Sequence, residues 1–284
     1  MTIDAATRLY CIIGNPVSHS MSPAIHNAAF ADKGINAAYV AFRVEDVEGA
    51  IEGIRALGIH GASVTIPHKV TIIPLLDRVD EVAKMIGAVN TVVRKGDELI
   101  GYNTDGPGAA RALKEKVGDL SGKNVVIIGS GGAARAVAIT LAVREGVASI
   151  VILGVIKEEL KKLARDVARN CAAKVEGHII EDKRLSSALK KADILINASP
   201  LGMHPEEDSI PVPASLLRAE LDVFDVVYNP LETKLIREAK KRGCRTVPGV
   251  EMFLNQGVLQ FEMWTGRKAP VDLMRRIVME RLSK

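Results

Sequence analysis

Residues 123–135 constrain the fold of this chain more than any other stretch. Val125, Val126, Ile127 and Ile128 are β-branched neighbours, the pattern of a strand buried on both faces of a parallel sheet. The strand runs into Gly129-x-Gly131-x-x-Ala134, the glycine pattern of a dinucleotide-binding turn. Gly129 permits the turn, Gly131 lets the backbone approach a pyrophosphate, and Ala134 keeps the next helix close to its strand. A helix expected over residues 133–144 aims its free N–H groups and positive dipole end at the phosphates. The alternative is a tight strand–helix turn that binds nothing. Gly129, Ser130, Gly131, Gly132 and Ala133 are therefore the candidate cofactor residues.

A chain of 284 residues exceeds the usual size of a single core, so two domains are expected. Apolar residues make up 48% and charged residues 25%, an ordinary globular balance. The net charge of +4 comes from 38 basic and 34 acidic side chains spread along the chain, which argues against nucleic acid or a membrane surface as partner. Cys11, Cys171 and Cys244 are far apart and lack metal-ligand spacing, so no metal is expected and the thiols read as reduced. No apolar run reaches bilayer length, and Asp4 and Arg8 interrupt the N-terminus before a signal core. These features predict a soluble, cytoplasmic α/β protein.

The N-terminal half alternates strand and helix. A strand over 10–13 leads to a loop with Ser18 and Ser20, and Ser22–Pro23 then reads as an N-cap with proline at the first helical position. A second strand over 37–42, a helix over 45–57 and a third strand over 61–64 complete βαβαβ, which predicts a mainly parallel open sheet. Ligands of such sheets gather beyond the carboxyl ends of the strands. Ser18 and Ser20 follow the first strand, and Thr65 and Lys69 follow the third. A helix over 77–86, a hairpin turning at 95–98, and a helix opening at Asp105 come next. Asn90 and Asp105 flank the same crevice on this reading, although an Asp before a helix is most often only its N-cap. Gly106–Pro107–Gly108 reads as a hinge.

The chain resembles the shikimate dehydrogenases. The matching pieces are Gly14–Asn15–Pro16 with Ser18, His19 and Ser20, then Ser22–Pro23, His26–Asn27, Val64–Thr65–Ile66–Pro67–His68–Lys69 and Gly87–Ala88–Val89–Asn90–Thr91. Asn103–Thr104–Asp105–Gly106, the glycine turn, Asn197–Ala198–Ser199–Pro200, Asp225–Val226–Val227–Tyr228–Asn229–Pro230 and residues 249–256 follow in family order. The resemblance implies reversible, NADP-linked reduction of 3-dehydroshikimate to shikimate, in aromatic amino-acid biosynthesis. It implies Lys69 and Asp105 as the catalytic pair, with Ser18, Ser20, Thr65, Lys69, Asn90, Asp105, Tyr228 and Gln256 holding the small-molecule substrate. Val226 and Gly249 would line the nicotinamide side, and Glu81 falls at a cofactor-side position. The implied architecture is a substrate-binding domain over 1–105, a Rossmann-type NADP-binding domain over 106–248, and C-terminal helices over 249–284 packing back on the first. A homodimer is the oligomer considered.

One departure from the family pattern stands at the end of the second strand of the nucleotide half, where ribose recognition is decided. Asn-Arg-Thr is expected there; this chain has Gly154–Val155–Ile156, then Lys157. The arginine that would grip a 2′-phosphate is missing, and no acid replaces it in those positions. Lys157, Lys161 and Arg135 are left as point charges for the phosphate, and weaker discrimination between NADP and NAD is expected. The competing readings are a quinate/shikimate dehydrogenase using NAD, and a cofactor-sensing protein without catalysis.

Overall fold

A computed structural model describes residues 3–282. It divides into two compact units, one running to Thr104 and resuming at Gln256, the other Asp105–Asn255.

The first unit contains β1 (Arg8–Gly14), α1 (Ser22–Asp32), β2 (Ala37–Arg43), α2 (Val47–Ala56), β3 (Gly61–Val64), β4 (Arg78–Val79), α3 (Glu81–Ile86), β5 (Thr91–Lys95) and β6 (Glu98–Tyr102). Its sheet has the order β2-β1-β3-β5-β6-β4. The β1–β2, β1–β3 and β4–β6 pairs are parallel and β3–β5 and β5–β6 are antiparallel, so the sheet is mainly parallel, as expected, with two antiparallel pairs around β5. The hairpin explains it: Lys95 and Glu98 pair across a two-residue turn with Gly96 at φ +61°.

Side chains alternate across this sheet with the period of a strand. Cys11 and Ile13 point to a core shared with Ile51, Ile54, Ala83, Val92 and Leu99. Tyr10 faces the other side, into a cluster of His26, Phe30, Tyr39, Phe261 and Trp264. Two local expectations need correction. Ser22 is the first residue of α1, not its cap, and Ser20 Oγ accepts from the Ser22 N–H instead (3.3 Å). No helix starts at Asp77: its carboxylate accepts from Leu99 N–H (2.7 Å) and pairs with Arg55 (2.8 Å), and Asp80 caps α3.

His26 is fully buried in the aromatic cluster, stacked on Tyr39 with ring centroids 4.7 Å apart. Among the described residues neither ring nitrogen has a hydrogen-bond partner. Burial holds its pKa down to about 3. A depressed histidine pKa means that the unfolded chain takes up a proton the native state refuses. Stability is intact above about pH 6.5 and falls as the pH drops toward 3. At pH 5 this group is expected to cost roughly 2 kcal/mol relative to pH 7. His26→Phe should remove that dependence, which urea unfolding at pH 7 and pH 5 will check; equal pH sensitivity in the two proteins contradicts it.

The second unit contains α4 (Asp105–Val117), β7 (Asn124–Ile128), α5 (Gly132–Arg144), β8 (Ser149–Gly154), α6 (Lys157–Ala168), β9 (Lys174–Ile179), α7 (Asp182–Lys191), β10 (Ile194–Asn197), β11 (Asp222–Asp225), α8 (Lys234–Lys241) and β12 (Thr246–Val247). All six strands are parallel, in the order β12-β11-β10-β7-β8-β9. Counted in chain order this is 3-2-1-4-5-6, the doubly wound arrangement of dinucleotide-binding domains. One face packs Val126, Leu153, Leu195 and Val223 against Leu185 and Leu189 of α7 and Leu235 of α8. The last helices are α9 (Gly249–Thr265), whose residues from Gln256 onward belong to the first unit, and α10 (Val271–Leu282), which packs on α1.

The residues expected as a hinge, Gly106–Pro107–Gly108, follow directly on the boundary between the two units. They lie in the first turn of α4, with Gly106 and Gly108 buried. A Cβ on Gly106 would stand 2.1 Å from Thr140 Oγ1 and 2.5 Å from the Ala136 carbonyl oxygen of α5. Gly106 is there so that two helix backbones can touch.

Candidate active site

In the first unit the ends of β1 and β3 lie side by side, Ile13 in register with Val64. A Cβ on Gly14 would fall 2.3 Å from Thr65 Cγ2, so the loops after the two strands leave the sheet in contact. Asn15 N–H donates to Ile66 O (2.9 Å), which ties them together. Ser18 is exposed on the first loop; Ser20, Thr65 and Lys69 are half-buried. His68 is structural, buried with its ring bonded to the Val44 carbonyl (2.8 Å).

Asn90 is the organiser of this unit's polar end. It is buried, and its Oδ1 accepts from the Thr104 N–H (2.7 Å) and the Thr91 hydroxyl (2.8 Å), while Nδ2 donates to Thr104 Oγ1 (3.0 Å). Asn103 Nδ2 donates to Ala88 O (3.0 Å). The neighbouring Val89 N–H donates to the Lys69 carbonyl (2.7 Å). The segment Val89–Asn90 therefore holds both the backbone of Lys69 and the residue that precedes Asp105.

Sequence reasoning missed the layer behind Asn90. Gln260 donates to the Asn90 carbonyl (3.2 Å) and Thr91 Oγ1 (3.0 Å), and accepts from Ser63 (2.9 Å), which in turn accepts from Tyr39 (2.6 Å). The available signal was spacing: Gln256 and Gln260 are four apart on α9 and share a face.

In the second unit Asp105 is half-buried in the first turn of α4. Gly129 has φ +114°, and a Cβ there would stand 2.6 Å from Ala198 O. The turn thus sits between the ends of β7 and β10, where the strand order reverses, which is the ligand position of such sheets. Gly131 caps α5 without a side-chain bond, and a Cβ on Gly131 or Gly132 would meet nothing within 4 Å. An exposed cradle of backbone N–H groups at a helix start, open on the side where side chains would stand, fits a pyrophosphate.

Val226 and Gly249 are held by groups that were not anticipated. Asp225 is fully buried; it accepts from Asn197 Nδ2 (2.9 Å), the Val227 N–H (3.1 Å) and the Thr233 hydroxyl. Burial pushes its pKa up to about 6 against these donors. Val226 N–H donates to Asn197 O (2.9 Å), so the segment leaves β11 in a fixed direction. A Cβ on Gly249 would lie 2.3 Å from Val227 O. Tyr228 is exposed, its ring 5.5 Å from that of Phe253, and Gln256 is half-buried on α9. Glu81 is exposed and pairs with Lys84 (2.6 Å).

At the end of β8, two of the three cations expected to meet a 2′-phosphate are already counter-charged. Arg135 pairs with Asp166 (2.7 Å) and Lys161 with Glu158 (3.5 Å); Lys157 is exposed at the start of α6. An acid does approach the glycine turn, from one turn further on: Ser130 Oγ donates to Glu159 Oε2 (2.7 Å). A cavity of ≈ 580 Å³ lies between α7 and the sheet face, reaching Asn124, Ser149 and Lys174 at the amino ends of β7, β8 and β9, away from the glycine turn.

Comparison with known proteins bears on the whole chain. Residues 12–92 match the shikimate dehydrogenase substrate binding domain, residues 249–279 the shikimate 5'-dehydrogenase C-terminal domain, and residues 125–246 the saccharopine dehydrogenase NADP binding domain. The shikimate dehydrogenase (NADP(+)) of Methanocaldococcus jannaschii is 45% identical over 285 residues, 99% of this chain and 100% of that protein. The chain belongs to the shikimate dehydrogenase family. The Moorella thermoacetica shikimate dehydrogenase (NADP(+)) is 46% identical, over 98% of this chain and 95% of its own. A crystal structure of shikimate 5-dehydrogenase from Listeria monocytogenes, in complex with shikimate and NAD, superimposes with a TM-score of 0.94 at 38% identity, covering 98% of each chain. No helix among the described residues is long and apolar enough to cross a membrane.

Proposed function

We propose that this chain is an oxidoreductase that reversibly reduces 3-dehydroshikimate to shikimate with NADP as cofactor. The observation that carries this is the Val89–Asn90 segment, which holds the Lys69 backbone and the Thr104 turn that leads into Asp105. The first unit is the substrate unit, and the second, with its glycine turn, the cofactor unit. A homodimer and a cytoplasmic location belong to the same reading and rest on the family resemblance.

When bound, NADPH would supply the hydride for the ketone carbon. The oxygen then becomes an alkoxide, and the protein's task is to stabilise that charge and deliver one proton. Lys69 has the right group, a cationic amine whose backbone is pinned by Val89. Asp105 orients the amine and accepts from the substrate hydroxyls. Ser18 and Ser20 stand on a turn closed by Ser20 N–H to Val17 O (3.0 Å) and donate to the substrate carboxylate, each such bond worth roughly 1.5–3 kcal/mol. Thr65, Asn90, Tyr228 and Gln256 complete the substrate contacts. Gly129, Ser130, Gly131, Gly132 and Ala133 hold the pyrophosphate, and Val226 and Gly249 line the nicotinamide side.

An absorbance assay crossing shikimate and quinate with NADP⁺ and NAD⁺ tests the assignment on one purified sample. The expected result is shikimate oxidation at least about tenfold faster than quinate oxidation with either cofactor. Faster quinate oxidation with NAD⁺ would move the chain to the quinate-using reading, and dinucleotide binding without turnover would make it a sensor.

A further inference from the structure

We propose that Glu159 is a cofactor-specificity residue: tethered to the glycine turn through Ser130, its carboxylate accepts a ribose hydroxyl of NAD and repels the 2′-phosphate of NADP. The proposal rests on the dinucleotide-binding reading above and adds to it a residue that the glycine pattern does not mark.

Three pieces of geometry support it. First, the end of β8 is where a Rossmann domain reads the ribose, by a carboxylate for a 2′-hydroxyl or an arginine for a 2′-phosphate. Here that end is Gly154, and a Cβ on it would lie 3.7 Å from Ser130 Oγ. Ser130 in turn donates to Glu159 Oε2 at 2.7 Å, so strand end, glycine turn and carboxylate form one cluster. Second, the two positions after Gly154 offer no charge: Val155 is 78% exposed and Ile156 50% exposed. Third, Arg135 and Lys161 are engaged by Asp166 and Glu158, and Lys157 is a single exposed ammonium without the fork of an arginine. A 2′-phosphate placed here meets Glu159 with little positive charge to compensate, whereas a 2′-hydroxyl donates to that carboxylate. The expected consequence is a chain that uses NADP, as its family does, but discriminates weakly against NAD.

Calorimetric titration of the full chain with adenosine 2′,5′-bisphosphate and with 5′-AMP isolates the ribose substituent. In the unmodified protein the bisphosphate should bind no more than about tenfold more tightly than AMP. Glu159→Gln retains an acceptor for the Ser130 hydroxyl but removes the charge, and Glu159 is exposed, so the fold is not at stake. The variant should bind the bisphosphate about tenfold more tightly and AMP about three- to tenfold more weakly, because an amide oxygen is a poorer acceptor for the ribose hydroxyl than a carboxylate. The kcat/KM ratio of NADP to NAD should rise by a similar factor. Equal changes for both probes, or no change for either, overturn the proposal while leaving the dinucleotide reading intact. Failure of the unmodified protein to bind either probe, NAD or NADP would overturn both.

Discussion

Lys69→Ala is expected to lower kcat for shikimate oxidation by about a thousandfold, roughly 4 kcal/mol of transition-state stabilisation. The size follows from the chemistry. Without the amine, the developing alkoxide loses both its nearest positive charge and its proton source, and water substitutes poorly for either in a half-buried site. The link from Val89 to residue 69 runs through the backbone carbonyl and survives the substitution. Dinucleotide affinity should therefore stay within about threefold of the unmodified protein, measured by titration beside steady-state kinetics. A kcat within a few-fold of the original would refute the role assigned to Lys69.

Gly106→Ala is expected to destabilise the second unit by about 3 kcal/mol, at the upper end of the cost of overpacking a well-filled contact. The added methyl stands 2.5 Å from a backbone oxygen of α5, and the other obstacle, Thr140 Oγ1, is itself buried. Neither is the loose end of a flexible side chain, so α4 and α5 must separate. A loss of this size lowers the melting temperature by roughly 6–12 °C in a unit of this length. Since α5 begins at the glycine turn, dinucleotide affinity should fall as well. Gly53→Ala provides the contrast: it lies inside α2 with nothing within 4 Å of the new Cβ, and should gain roughly 0.5–1 kcal/mol from helix propensity. Melting curves of the two variants side by side decide it; a Gly106→Ala protein within 2 °C of the original would mean that the helices tolerate the methyl.

The cofactor half of this protein was legible because its signals are local. Four β-branched residues, a glycine pattern and an alanine-rich helix are adjacent in the chain, and periodicity alone recovers the strand–turn–helix unit. The parallel start of the first sheet was legible for the same reason, since β1, α1, β2, α2 and β3 each carry their own stop signals. The β5–β6 hairpin was legible too, from its turn residues, whereas the antiparallel pairing of β5 with β3 joins strands that no short-range signal connects.

What the chain could not reveal by itself depends on residues far apart in sequence. Gln260 reaches Asn90 across 170 positions, and Asn90 reaches Thr104 across 14, so no local window contains the clamp around the turn that leads into Asp105. The glycine at 106 carries a constraint no local window shows, the backbone of another helix against its Cα. Arg135 and Lys161 looked like phosphate ligands until Asp166 and Glu158 were found beside them. The sequence by itself determined which elements form and which residue types stand at their ends, since propensity and burial periodicity act within a few residues. Only the tertiary structure decided which of those polar groups are already satisfied by one another, because a buried donor or acceptor must find its partner wherever the fold has put one.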